Sequence, residues 1–94
     1  MTQTLPPEAT AKLFKRLSNP MRVALVQALR DGPQSVGALQ AAVGASQSTV
    51  SLQLLRMRND GLVSCHRGDG DARIMLYTLA DRRVLQLVDL AASL

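Results

Sequence analysis

The sequence predicts a mainly α-helical domain with a small β-hairpin, arranged as a winged helix-turn-helix: four helices, a two-stranded wing, then a C-terminal helix. Three observations carry that expectation. Apolar residues recur at helical spacing in five stretches, and Asn, Ser, Gly and Pro punctuate their ends. The third and fourth stretches are separated only by a short Gly-containing turn, which is the signature of a helix-turn-helix. Between the fourth and fifth, two runs rich in β-branched and apolar residues flank a Gly- and Asp-rich tip.

Taken in order, residues 1–7 contain Pro6 and Pro7 and no periodic pattern, so they read as a flexible arm ahead of a domain over 8–94. Glu8 to Leu17 is a helix with Ala9, Leu13, Phe14 and Leu17 on one face. Asn19 is placed to cap the next helix, and Pro20 at its first position gives up no available hydrogen bond. Met21 to Arg30 follows, with Val23, Leu25, Val26 and Leu29 apolar, and Asp31-Gly32-Pro33 stops it. Ser35 caps a short third helix whose core face is Val36, Leu39 and Val43, and Gly44 ends it. Ser46 caps a fourth helix running to about Asn59, before Asp60-Gly61. Leu62 to His66 and Arg73 to Leu79 read as strands around the tip 67–72. The last helix, Asp81 to Ala92, carries Val84, Leu85, Leu87, Val88, Leu90 and Ala91.

Composition narrows the function. At 94 residues there is room for one domain, and a 47% apolar share suits a globular fold. Aromatics make up only 2%, which excludes a single-strand binder that stacks bases on aromatic platforms. The single cysteine, Cys65, excludes an intramolecular disulfide framework and fits a reducing compartment. No apolar run approaches the ~20 residues a membrane span requires, and Met1 to Pro7 lacks the regions of a signal peptide. A cytoplasmic location is therefore expected. The net charge of +4 is unevenly placed. Lys12, Lys15, Arg16, Arg22 and Arg30 form a cationic stretch with no acid between Glu8 and Asp31, and Gly32 to Leu55 carries no charge at all. Such a balance permits nucleic-acid binding without diagnosing it.

The fourth helix is more specific. At 100° per residue Val50, Leu54 and Met57 share the core side, while Ser48, Leu52, Leu55, Arg56 and Asn59 lie opposite, flanked by Thr49 and Ser51. Gln47, Ser48, Thr49, Ser51 and Gln53 supply the donors and acceptors that read base edges in a major groove, and Arg56 the charge. The N–H groups of the first turn suit a phosphate. Arg67 and Arg73 flank the hairpin tip, where backbone phosphates or the minor groove are in reach; Asp69 and Asp71 oppose them.

At these residues the sequence resembles the ArsR/SmtB-type bacterial transcriptional repressors. Phe14-Lys15-Arg16-Leu17-Ser18-Asn19-Pro20-Met21-Arg22 is similar to that family's opening helix and Asn/Asp-Pro-x-Arg corner. Ser46-Gln47-Ser48-Thr49-Val50-Ser51 resembles the start of its recognition helix, and Leu54 to Val63 the exit into its wing. The likeness spans roughly residues 9–90. It implies a homodimer that binds an imperfect palindrome in double-stranded DNA. Three positions depart from the pattern: Leu52 stands where a His or other polar residue is common, Leu55 where Lys or Arg is common, and Gln40 where a small residue is usual. Leu52 and Leu55 form an exposed apolar pair on the wheel. It would press on thymine C5-methyl groups, mark altered or lost DNA specificity, or contact a protein.

The family's metal-sensing positions are empty of ligands here. Ser35-Val36-Gly37-Ala38-Leu39 has no thiol, and the last helix offers Asp81 and Asp89 but no His. One Cys and one His cannot build a four-ligand site, so no metal or cofactor is expected. Cys65 and His66 are neighbours on a strand and face opposite ways. The Asp-Gly-Asp tip lacks the further ligands of a calcium loop. No Ser-His-Asp arrangement, paired-carboxylate motif or phosphate-cradling loop points to catalysis. Dimerisation is expected because the last helix is apolar around more of its circumference than one small core needs. Leu13, Phe14 and Leu17 would join Val84, Leu85, Leu87 and Val88 in a C2 interface. Two alternative functions use the same fold: a protein-interaction module built on Leu52 and Leu55, and a thiol sensor acting through an intermolecular Cys65 contact.

Overall fold

Side-chain caps start three of the five helices among the described residues of the structure, a computed structural model that describes residues 4–94. Helix α1 spans Pro7–Leu17. The arm expected over 1–7 lies outside the described residues at 1–3, and Pro7 is already the first residue of α1. Helix α2 (Pro20–Ala28) starts at Asn19, whose Oδ1 accepts from the N–H of Met21 at 2.8 Å and of Arg22 at 3.3 Å. It ends two residues before the expected Arg30; Leu29 and Arg30 form a turn, and Gly32 follows at φ 125°, a conformation closed to side chains with a Cβ.

The chain then makes a strand that sequence periodicity did not show. Strand β1 is only Gln34–Ser35, too short to display an alternating pattern. Ser35 also caps α3 (Val36–Val43), its Oγ accepting from the Ala38 N–H at 3.1 Å, and Gly44 closes that helix in the left-handed region. Ser46 caps α4 (Gln47–Asn59) in the same way, through the Thr49 N–H. Strands β2 (Val63–Arg67) and β3 (Met75–Leu79) follow, then α5 (Arg83–Ala92).

The sheet has three antiparallel strands in the order β1-β3-β2. The expected two-stranded wing is thus two members of a three-stranded sheet, with Gln34 facing Tyr77 and Ser35 facing Leu76 along the second edge of β3. Between β2 and β3 the register runs from Val63 opposite Leu79 to Arg67 opposite Met75. Arg73 and Ile74, assigned to the second strand by their residue types, belong to the loop instead. There the Gly68 N–H donates to the Ile74 carbonyl at 2.7 Å and closes the tip.

Every helix sends a fully or nearly fully buried side chain into one core, α1 through Leu17. Leu25, Val26 and Leu29 come from α2 and its exit, Leu39 from α3, and Val50, Leu54 and Met57 from α4; all seven have no exposed surface. Leu62, Val63 and Leu79 close it from the sheet, and Leu85 and Val88 from α5. Burial of such a side chain stabilises the fold by about 1.5–3 kcal/mol each, so α4 is anchored firmly by its inner face. Its outer face is left to do something else.

Candidate nucleic-acid interface

Helix α4 presents Gln47, Ser48, Ser51, Leu52, Leu55, Arg56, Arg58 and Asn59 outward, all exposed. The i, i+4 stripe Ser48, Leu52, Arg56 runs straight along that face. Two residues expected on it are partly diverted. The Thr49 hydroxyl accepts a hydrogen bond from the Ser46 Oγ at 2.8 Å, which ties it to the cap of its own helix. Gln53 is half-buried, and its Oε1 accepts from Arg22 Nε at 3.3 Å.

That contact belongs to a junction which sequence reasoning missed. Arg22 Nη1 donates to Asp60 Oδ2 at 2.8 Å and to the Arg16 carbonyl at 3.0 Å, and its side chain is only 13% exposed. One guanidinium therefore joins the end of α1, the start of α2, the middle of α4 and the residue that ends α4. The linear spacing of 38 residues between Arg22 and Asp60 carried no signal for this pairing. Of the cationic stretch from Lys12 to Arg30, Arg22 is therefore engaged inside the fold.

Three further pairings thin the basic surface among the described residues. Arg30 makes a two-pronged contact with Asp89 at 2.7 and 2.9 Å, Arg83 binds Asp81, and Arg73 binds Asp71. The Arg30 guanidinium holds the Asp89 carboxyl below its ordinary value, and Arg73 does the same to Asp71. On the wing, Arg67 Nη1 donates to the Ala72 carbonyl at 2.8 Å, which bends it across the tip. Both wing arginines lie at the far end of a five-residue strand from the turn that follows α4, about 16 Å along the sheet. The wing arginines are thus set apart from the end of α4 rather than clustered with it.

Cys65 is half-buried on β2, opposite Tyr77, and His66 pairs with Leu76. Burial, together with the Cys65 thiol alongside, pushes the Tyr77 hydroxyl pKa up. Among the described residues no group of three or more His, Cys, Asp or Glu converges on one point. No described helix is long and apolar enough to cross a membrane.

Elsewhere on the molecule α1, α2 and α5 line an apolar groove of about 350 Å³, with Phe14, Leu17, Val23, Leu87, Val88 and Ala92 among its walls. The residues expected at a dimer interface divide here. Leu17, Leu85 and Val88 are spent on the protomer's own core, Leu13, Val84 and Leu87 are half-buried, and Phe14 is 55% exposed. Leu90, on the same helix as Leu87, is 65% exposed.

Comparisons with known proteins agree with this architecture. A family model described as "Bacterial regulatory protein, arsR family" matches residues 19–64, from the cap of α2 to the second residue of β2. The HTH-type transcriptional regulator NmtR of Mycobacterium tuberculosis is 42% identical over 79 residues, which cover 84% of this chain and 63% of that protein. The chain thus spans less than two thirds of that relative's length. The crystal structure of the transcriptional repressor BigR from Xylella fastidiosa superimposes with a TM-score of 0.76 at 35% identity, covering 92% of this chain and 82% of that one. A homodimeric winged helix-turn-helix DNA-binding domain from Mycobacterium bovis gives 0.74 at 26% identity, over 99% of this chain and 88% of that one. With the Asn19-Pro20 corner, the capped α4 and the wing all falling within these matches, the chain belongs to the arsR family of bacterial regulatory proteins.

Proposed function

We propose that this chain is a transcriptional repressor that works as a homodimer in the cytoplasm and binds an imperfect palindrome in double-stranded DNA through α4 and the wing. A single domain over 8–94 would carry both DNA binding and dimerisation. The observation that carries the reading is the outward face of α4: polar at its N-terminal end, free of acids throughout, and basic at its C-terminal end. A helix with those properties enters a major groove with its first turns against base edges and its exit near a phosphate ridge. The relatives' printed names, transcriptional regulator and repressor, support the regulatory role, and the homodimeric Mycobacterium bovis domain supports the assembly.

Within this reading Gln47, Ser48 and Ser51 contact bases and Arg56 contacts backbone. Thr49 and Gln53 act mainly through the cap and through Arg22, respectively. Arg67 and Arg73 contact phosphates from the wing. The groove between α1 and α5 is the dimer surface, with Phe14, Leu87 and Leu90 as the side chains that a second copy covers.

Selection from a randomised duplex library tests the function directly. The purified chain should enrich sequences with two related half-sites about one helical turn apart. Gln47→Ala or Ser48→Ala should then weaken binding to the selected duplex by about 1–3 kcal/mol and leave random duplex nearly untouched. Failure to enrich any sequence, with intact folding and dimerisation, would contradict the function.

A further inference from the structure

Two leucines stand in solvent at the centre of the outward face of α4. Leu52 is 46% exposed and Leu55 is 53% exposed, while the same helix buries Val50, Leu54 and Met57 completely. Residues three apart on a helix are neighbours, so Leu52 and Leu55 form one continuous apolar stripe. They belong to no core cluster among the described residues.

Their surroundings define what covers them. Toward the N-terminus of α4 lie the exposed hydrogen-bonding side chains Gln47, Ser48 and Ser51, and toward its C-terminus Arg56, Arg58 and Asn59. The helix contains no acid. A matching surface must be apolar in the middle, rich in hydrogen-bonding edges on one side and anionic on the other. A major groove over A·T pairs has this layout. The thymine C5-methyl is the groove's apolar feature, base edges lie beside it and a phosphate ridge runs along the rim. The stripe is also continuous with the polar residues assigned above to base contact.

We propose that Leu52 and Leu55 read thymine methyl groups, so that this protein's operator carries thymines at the positions they touch. The inference rests on the proposed DNA-binding function and adds the chemical class of base recognised. It extends to one further ligand. Cytosine methylated at C5 places the same methyl group in the same groove, so 5-methylcytosine should bind better than cytosine at those positions.

The probe is the duplex recovered by library selection, synthesised with thymine and again with deoxyuridine in place of each thymine in turn. Deoxyuridine keeps every hydrogen-bonding atom and removes only the methyl. Wild-type affinity should fall about fourfold for each contacted methyl lost, the factor that corresponds to one buried CH₂-sized group. The variants Leu52→Ala and Leu55→Ala, both at exposed positions, should bind the thymine duplex more weakly and lose the penalty for deoxyuridine at the position each one reads. A C·G pair placed at such a position should bind about fourfold better when its cytosine is methylated at C5.

Equal wild-type affinity for thymine and deoxyuridine duplexes would overturn the inference. So would an undiminished deoxyuridine penalty in the Leu52→Ala, Leu55→Ala double variant. A uniform loss in that variant across thymine, deoxyuridine and random duplexes would overturn it too, and would assign the leucines to packing or to a protein partner. If a duplex is selected and bound with a steep salt dependence but deoxyuridine makes no difference, the DNA-binding function stands and this inference falls. If no duplex is selected, both fall.

Discussion

Asp71 and Arg73 show at the scale of single residues how a charge in the sequence differs from a charge available to a ligand. Asp71 Oδ1 accepts from both the backbone N–H and the Nε of Arg73, and Oδ2 from its Nη2, so this wing arginine meets a ligand with its charge partly offset by a carboxylate. In Asp71→Asn the amide oxygen can keep the turn's backbone hydrogen bond while the negative charge is removed. Binding of that variant to any duplex at low salt should therefore strengthen, and Arg67→Ala should lower the slope of log affinity against log salt by about one unit. A titration over several salt concentrations checks both. Unchanged binding in both variants would remove the wing from the interface. Cys65 is half-buried beside Tyr77, with no second thiol in the chain. Cys65→Ser should leave DNA affinity, and any response to oxidant or zinc, within about twofold of wild type. A larger loss of the response to oxidant or zinc would show that Cys65 is more than a half-buried strand residue.

At the scale of elements, the start of α5 makes the sharpest prediction. Asp81 lies just ahead of the helix, its Oδ1 accepting from the Arg83 N–H at 2.9 Å while both oxygens meet the Arg83 guanidinium. Those hydrogen bonds hold the Asp81 carboxyl at about 2, against an ordinary 3.8. Because the folded-state value is the depressed one, the contact supports α5 fully above the ordinary value and is lost as pH falls through about 2. Carboxyl chemical shifts followed by NMR should show Asp81 titrating near 2, and amide exchange at the start of α5 should rise over the same interval. Titration at the ordinary value would show that the contact does not persist in solution.

The elements also show what a reader of the sequence can and cannot see. Asn19, Ser35 and Ser46 were legible as caps because a short side chain next to a helical apolar pattern has few other roles. The buried face of α4 was legible from periodicity alone. Strand β1 was not, since two residues cannot alternate, and its pairing with β3 is a tertiary event. The same holds for the Arg22 junction with Asp60 and Gln53: residues 31 and 38 positions apart meet only once α1, α2 and α4 have packed. On the candidate interface, the outward position of Ser48, Leu52, Leu55 and Arg56 could be read from the helical wheel. The diversion of Thr49 and Gln53 required neighbours that only the fold supplies.

At the scale of the whole molecule, the groove between α1 and α5 and the outward face of α4 give the chain two surfaces with different chemistry. The groove is apolar and lined in part by the exposed Phe14, and α5 also carries the exposed Leu90. A second copy that covers it would double a net charge of +4 and present two copies of α4 to one duplex. Phe14→Glu should therefore shift the sedimentation coefficient at micromolar concentration from dimer to monomer and weaken operator binding in step. A wild-type chain that sediments as monomer throughout would contradict the arrangement.

One titration decides whether the outward face of α4 and the wing together bind a specific duplex. The library-selected duplex and a scrambled duplex of equal length are each titrated with the wild-type chain at rising salt. Log affinity should fall steeply and linearly with log salt on both duplexes, with a preference at every salt of at least about 10³-fold for the selected one. Equal affinity for the two duplexes, or binding to both that is indifferent to salt, would contradict such specific binding.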